Sequence, residues 1–275
     1  MLSYRHAFHA GNHADILKHL ILCKTLKYMI QKPAPIVYID THAGAGNYAL
    51  NSKLAQKTKE YQSGIAALDF SSLPRAIDCY QNIVEPMLSR QHYPGSPLLA
   101  AQLLREQDKL RLFEMHSTDF PALQQLFKKD RRVRTDSTDG YQALNALLPT
   151  PQKRALVLID PSYEIKSEYQ LVVDAIKLAY RKMSTAQLLL WYPVVDRKRV
   201  EKMIKNICSS GIRDVWRFEL RMEADTQQHG MTGSGMLAIN PPWTLAEQIR
   251  ELLPALVEQL ASETGGYTVE QLVPE

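Results

Sequence analysis

The residues best equipped for chemistry in this chain are Asp160, Pro161 and Tyr163, in the run Leu156-Val157-Leu158-Ile159-Asp160-Pro161-Ser162-Tyr163. Four apolar residues lead straight into a carboxylate, a proline and an aromatic ring. The acid and the Pro161 carbonyl are two hydrogen-bond acceptors, and the ring is a flat apolar face. Such a set can hold an exocyclic amine against a planar ring. A second set is Asp40-Thr41-His42-Ala43-Gly44-Ala45-Gly46, where an acid ends an apolar run and two glycines let the backbone pass close to a ligand. A lone pair of glycines is usually a mere turn; directly after a strand that ends in Asp40 it reads as a nucleotide-type loop. The spacing is not G-x-G-x-x-G, so a dinucleotide site, and with it a nicotinamide dehydrogenase, fits poorly. Glu114, after Leu110-Arg111-Leu112-Phe113, can accept from two ribose hydroxyls. Asp139-Gly140 is by default a turn dipeptide, but beyond a strand edge Asp139 can accept from an adenine amino group. Lys18 and His19 lie in the second turn of a predicted helix, where a lysine is most often solvated.

Those groups need a parallel sheet behind them. An apolar run without alternation is a strand buried on both faces, and ligands of open α/β sheets sit at the carboxyl edge. Asn12 can cap a helix whose apolar positions Ile16, Leu17, Leu20, Ile21, Thr25, Leu26 and Met29 keep helical spacing. Pro33 and Pro35 close it, and residues 36–40 form a strand. Residues 50–95 break the alternation with two amphipathic stretches, about 56–70 and 74–91, which predict a small helical insertion serving as a cover for the sheet or as a grip on substrate. Ser96 can cap a helix over 97–106. Strands at 110–114, 131–135, 156–159 and 188–193 alternate with helices at 118–129, 141–148, 167–183 and 197–208. A hairpin follows, from 215–221 through a loop at 225–235 to 236–240, and a helix at about 245–262 closes the chain.

A length of 275 residues suits one large α/β domain with an insertion. Apolar content of 45% and charged content of 23% are those of an ordinary globular protein. The net charge of +4 permits a nucleic-acid partner without requiring one. Arg197, Lys198, Arg199, Lys202 and Lys205, together with Lys128, Lys129, Arg131 and Arg132, form a candidate phosphate surface. Cys23, Cys79 and Cys208 lie too far apart for a zinc motif or a disulfide framework and point to reduced thiols and a cytoplasmic protein. The polar, histidine-bearing start is unlike a signal peptide, and no apolar run approaches the ~18 residues of a membrane helix. No metal and no membrane partner are expected. Without a long exposed apolar stripe, the expected state is a monomer.

Strands ending in Asp40, Glu114, Thr135, Asp160 and Pro193 alternate with helices, and a hairpin ends the sheet. This order resembles that of the Rossmann-like class I S-adenosylmethionine-dependent methyltransferases: an α/β fold whose mostly parallel seven-stranded sheet has an antiparallel last strand, here a single domain over 1–275 with the helical insertion at 50–95. Asp160-Pro161-Ser162-Tyr163 resembles the Asp/Asn-Pro-Pro-aromatic motif of amino-group methyltransferases. Asn240-Pro241-Pro242-Trp243 matches that motif more closely, but it follows the antiparallel strand, at the wrong edge of the sheet, and only 35 residues remain after Asn240. Order therefore favours Asp160.

The likeness extends to Tyr4-Arg5-His6, Gly11-Asn12-His13-Ala14-Asp15, Lys18-His19, Asp40-Thr41-His42-Ala43-Gly44, Tyr93-Pro94-Gly95-Ser96-Pro97 and Gly230-Met231-Thr232-Gly233-Ser234-Gly235, which look like the RlmJ family of large-subunit ribosomal RNA adenine-N6 methyltransferases. The resemblance implies that Lys18, His19, Asp40, His42, Gly44, Ser96, Glu114, Asp139, Gly140 and Asp160 form the S-adenosylmethionine site. It further implies that Asp160, with Pro161 and Tyr163, is catalytic, that Tyr4 and His6 close over the site, and that the substrate is adenine 2030 of 23S ribosomal RNA. Ser162 departs from the usual second proline, which loosens the turn but leaves the acid, the carbonyl and the ring. Two alternatives share these residues: a DNA adenine-N6 or cytosine-N4 methyltransferase, and a non-catalytic RNA-binding protein on the same fold.

Overall fold

The protein is described by a computed structural model covering residues 4–225 and 230–275. Its strands are β1 (Val37–Asp40), β2 (Asn47–Ala49), β3 (His92–Pro94), β4 (Lys109–Phe113), β5 (Val133–Asp136), β6 (Ala155–Ile159), β7 (Gln187–Val194), β8 (Val215–Arg221), β9 (Gly233–Ile239) and β10 (Gly266–Val273). Its helices are α1 (His13–Met29), α2 (Ala55–Thr58), α3 (Glu60–Ser63), α4 (Asp78–Leu88), α5 (Ser96–Leu103), α6 (Asp119–Phe127), α7 (Gly140–Leu147), α8 (Glu168–Lys182), α9 (Arg197–Cys208) and α10 (Leu245–Leu260). Among the described residues eight strands form the main sheet, in the order β10-β8-β9-β7-β6-β1-β4-β5, and β2 pairs with β3 separately.

The strands β5, β4, β1, β6 and β7 are parallel, while β9 runs against both β7 and β8. From β1 the chain steps outward one way through β4 and β5 and the other way through β6 and β7. The carboxyl ends of β1 and β6 therefore flank the switch point where an open sheet leaves a crevice. The expected seven strands are corrected to eight: the helix near 245–262 does not close the chain, because β10 follows it and pairs antiparallel with β8.

The sheet is buried on both faces, which is why its central strands read as unbroken apolar runs. Tyr38, Leu110, Leu112, Leu156 and Leu158 pack with α1, α5 and α10 on one side. Val37, Ile39, Val157, Ile159, Leu188 and Leu190 pack with α7, α8 and α9 on the other. Helix α1 starts as predicted, with Asn12 accepting from the Asp15 amide. It is buried almost all round, 13 of its 17 residues being enclosed, so Lys18 does not lie on a solvated face.

Of the two amphipathic stretches expected within residues 50–95, the second is present as α4, with Tyr80, Ile83 and Val84 buried, and the first differs. The first is only two single turns and short 3-10 segments, broken by the left-handed backbone of Lys59 (φ 56°) and by Gly64. A side chain on Gly64 would stand 2.2 Å from the Gly11 carbonyl oxygen. Ile65 N–H donates to that same carbonyl, so this stretch clasps the segment that enters α1. Ser96 is not a cap: α5 begins at Ser96 with Gly95 at the N-cap position, and the serine hydroxyl points elsewhere. The part of the expected 225–235 loop at 226–229 lies outside the described residues; the rest of it already belongs partly to β9.

Candidate active site

Every acid predicted at a strand end reaches the same edge of the sheet. A cleft of about 1370 Å³ opens there, with walls from the N-terminal segment, the turns after β1, β4 and β6, and the start of α9. The turn after β1 is stitched to β6: Thr41 donates to the Leu158 carbonyl through both its amide and its hydroxyl, each at 3.1 Å. That hydroxyl proton being used, the His42 ring donates from Nδ1 to Thr41 Oγ1 at 2.8 Å and keeps Nε2 as an acceptor. Burial holds His42 neutral, its pKa lowered to about 4.

At the end of β6, Asp160 Oδ2 accepts from Lys18 Nζ at 2.5 Å. The same ammonium lies 2.8 Å from Asp15 Oδ1. Asp15 Oδ2 in turn accepts from the Gly11 amide and from His6 Nε2, both at 2.9 Å, and the Tyr4 hydroxyl lies 3.1 Å from His6 Nδ1. Burial opposes charge at Asp15, but His6 and Lys18 outweigh it and hold the carboxyl well below its usual range. Burial likewise opposes the Lys18 charge, and the two carboxylates outweigh it and raise its pKa. Five side chains from three elements thus form one chain of contacts ending at Asp160.

Tyr163 has a left-handed backbone, φ 54°, unusual for a bulky residue and costing on the order of 1 kcal/mol. Its hydroxyl donates to the Trp191 carbonyl at 2.8 Å, and its ring lies 4.7 Å from Tyr169 and 5.9 Å from Trp191 between centroids. These contacts hold the turn that Ser162 does not stiffen.

On the far side of the cleft, Glu114 follows β4 and accepts from the Gly44 amide at 2.7 Å and the His116 amide at 2.6 Å, one bond to each oxygen. Each oxygen keeps a lone pair for a ligand hydroxyl. Burial pushes the Glu114 carboxyl up. Gly44 has φ 60°, and a Cβ there would meet the Tyr48 hydroxyl at 2.2 Å. Asp139 caps α7 through Oδ1, and Gly140 lets that helix start against Thr41, whose carbonyl oxygen a Cβ would approach to 2.2 Å.

A family model described as ribosomal RNA large subunit methyltransferase D, RlmJ, matches residues 33–273. The chain belongs to the RlmJ family. Two relatives, each called ribosomal RNA large subunit methyltransferase J, are 46% identical (Escherichia coli K12) and 44% identical (Haemophilus influenzae Rd) across the whole of both chains. The crystal structure of protein LPL1258 from Legionella pneumophila is 38% identical and superposes with a TM-score of 0.89, covering 96% of this chain and 98% of its own.

Within this RlmJ-family fold, Tyr4, His6, Lys18, His19, His42, Gly44, Ser96, Glu114, Asp139, Gly140, Asp160, Pro161 and Tyr163 all line the cleft. Asp40 does not. It is fully enclosed, with Oδ2 accepting from Tyr38 and Ser96 at 2.7 Å each and Oδ1 from the His42 amide at 3.3 Å. Its contacts are those of a support for Ser96 and His42, and burial lifts its pKa to about 6. Lys18 faces two carboxylates and not an open anion site. His19 Nδ1 is taken by the Tyr93 hydroxyl at 2.8 Å, and burial keeps that ring neutral.

Asn240 sits where topology predicts, at the opposite edge, with its amide donating to the Ser184 and Ala186 carbonyls beside the start of β7. The basic surface divides. Arg197, Lys198 and Arg199 line the cleft, but Arg197 is committed to Glu219 and Asp225 and Arg199 pairs with Asp196, while Arg132 is held by Asp130 and the carbonyls of Ala101 and Leu104. Asp15, Thr41 and Asp119, which pairs with Arg5 at 3.2 Å, also line the cleft and are assigned no role from the sequence. The signal for Asp15 is its spacing: Asp15, Lys18 and His19 stand at i, i+3 and i+4 on one face of α1.

Proposed function

We propose that this chain transfers the methyl group of S-adenosylmethionine to N6 of an adenosine in 23S ribosomal RNA. The observation that carries the reading is Asp160, held at the carboxyl end of β6 by Lys18, beside the Pro161 carbonyl and the Tyr163 ring, in a chain 46% identical over its full length to a ribosomal RNA large subunit methyltransferase J.

The residues present fit the cofactor. The Tyr141 hydroxyl, the Trp191 indole nitrogen and His19 Nε2 are buried without partners among the described residues, and all three residues line the cleft, as expected of a ligand site. Glu114 would hold the ribose hydroxyls and Asp139 the adenine amino group, with His42, Gly44, Ser96 and Gly140 forming the wall between. When bound, S-adenosylmethionine supplies an electrophilic methyl group. The protein's part is done on the amine. Lys18 occupies Asp160 Oδ2 and leaves Oδ1 for an N6–H donor, with the Pro161 carbonyl accepting the second. Both bonds draw the nitrogen lone pair out of the ring and stabilise the positive charge that grows on N6. Asp160 then accepts the proton that N6 sheds. Tyr163 offers a stacking face to a base that must first leave its helix.

The test is methyl transfer from radiolabelled S-adenosylmethionine to protein-free large-subunit RNA, with nuclease mapping. Label at a single N6-methyladenosine is the expected result. Label on matched DNA alone, or none on either polymer, refutes it.

A further inference from the structure

An acid in the first turn of a helix ordinarily faces water and answers the helix dipole. Asp15 instead has a side chain only 1% exposed. Building on the methyl-transfer reading above, we infer that Asp15 is a positioning residue for the reaction. One of its oxygens holds the Lys18 ammonium against Asp160, and the other holds the His6 ring toward Tyr4.

The geometry supports both halves. A cap of the Gly11 amide alone needs only a neutral oxygen, and burying a charge for that purpose would be costly. The charge has work on its other sides, 2.8 Å from Lys18 Nζ and 2.9 Å from His6 Nε2. Shared between Asp15 and Asp160, the ammonium has little room to swing, so Asp160 keeps one orientation. An ionised carboxylate only accepts, so His6 Nε2 carries the proton. On the other side of the ring, the Tyr4 hydroxyl lies 3.1 Å from Nδ1. Tyr4 lies near enough to Asp160 and Asp15 that, after burial itself, their charges are the next causes opposing its ionisation. One buried carboxylate therefore holds both Lys18, which contacts Asp160, and His6, which contacts Tyr4.

The test is Asp15→Asn in the full chain, which keeps an oxygen for Gly11 and leaves Lys18 and Asp160 as a balanced pair. The expected result is a fall in kcat of about 100-fold, the scale set by losing sub-ångström placement. KM for RNA and the cofactor Kd by calorimetry should stay within about threefold. In a Lys18→Met background the same substitution should cost at least ~10-fold less, because the route to Asp160 is already cut. A kcat within about threefold of the parent, an equal loss in both backgrounds, or a cofactor Kd that rises in step with the lost rate overturns the inference. A parent chain that transfers no methyl defeats the functional reading itself, and this inference with it.

Discussion

Replacing Lys18 by Met should destabilise the fold strongly at neutral pH and much less in mild acid. The side chains of Lys18, Asp15 and Asp160 are 4%, 1% and 13% exposed, and Nζ stands 2.8 Å and 2.5 Å from the two acids. At an effective dielectric of about 20, each contact is worth roughly 6 kcal/mol before desolvation and mutual repulsion of the acids are set against it. Met preserves the packing of the aliphatic stem, so what is lost is the charge. The two carboxylates left together can relieve their repulsion by binding one proton. That sets a ceiling: protonating an aspartate of ordinary pKa near 3.9 at pH 7.5 costs about 5 kcal/mol. A loss of about 3–5 kcal/mol is expected there, the range for breaking a buried pair. The sign with pH follows. Lys18 has a raised folded pKa, so its contribution is complete below about 10.4 and flat from pH 5 to 8. Asp15 has a depressed folded pKa, so its contribution is present above about 3.9 and fades as pH falls through the folded value. The proton that rescues the variant becomes cheaper by about 1.4 kcal/mol per unit of falling pH, bringing the deficit to about 1.5 kcal/mol or less at pH 5. Urea unfolding of both proteins at pH 5, 6 and 7.5 measures this. A deficit below 1 kcal/mol at pH 7.5, or one unchanged at pH 5, would refute the buried three-charge arrangement.

Asp160→Asn should reduce methyl transfer by at least ~10³-fold while cofactor affinity by calorimetry changes little, since the amide offers N6 a weaker and partly misdirected acceptor. Glu114→Gln should weaken S-adenosylmethionine binding about tenfold, because one acceptor oxygen becomes a donor facing a backbone N–H; calorimetry reads it directly. Asp40 has its folded pKa raised to about 6 by burial, so the folded state binds the extra proton between about pH 4 and 6 and stability falls across that window as pH rises. Asp40→Asn should flatten that fall by about 2–3 kcal/mol in pH-dependent urea unfolding, and an unchanged slope would remove Asp40 as its source.

What could be read from sequence was what local patterns encode. The run 156–159 is closed by Pro161, so both the strand and the acid at its carboxyl end are written within six residues, and the strands that lead into Asp40 and Glu114 are likewise short, mostly apolar runs ending in an acid. The misses all turn on partners far along the chain. Ser96 looks like a helix cap because serine before an apolar stretch often is one; its hydroxyl is claimed by Asp40, 56 residues earlier, which no window centred on Ser96 can contain. Strand β10 carries no clean alternation, because as an edge strand on β8 it is only partly buried on either side, and its Glu270 is held by Arg217 from the neighbouring strand. Lys18 is the instructive case. Read singly it is a solvated lysine. Read with Asp15, three residues earlier, and His19 on the same face of the helix, it has an acid at ion-pair spacing, whereas Lys24 and Lys27 of the same helix keep contact with solvent. The three-residue spacing offers Lys18 one partner. What it could not supply was the fourth member, Asp160, which lies 142 residues further along the chain and meets Lys18 where α1 packs across the sheet.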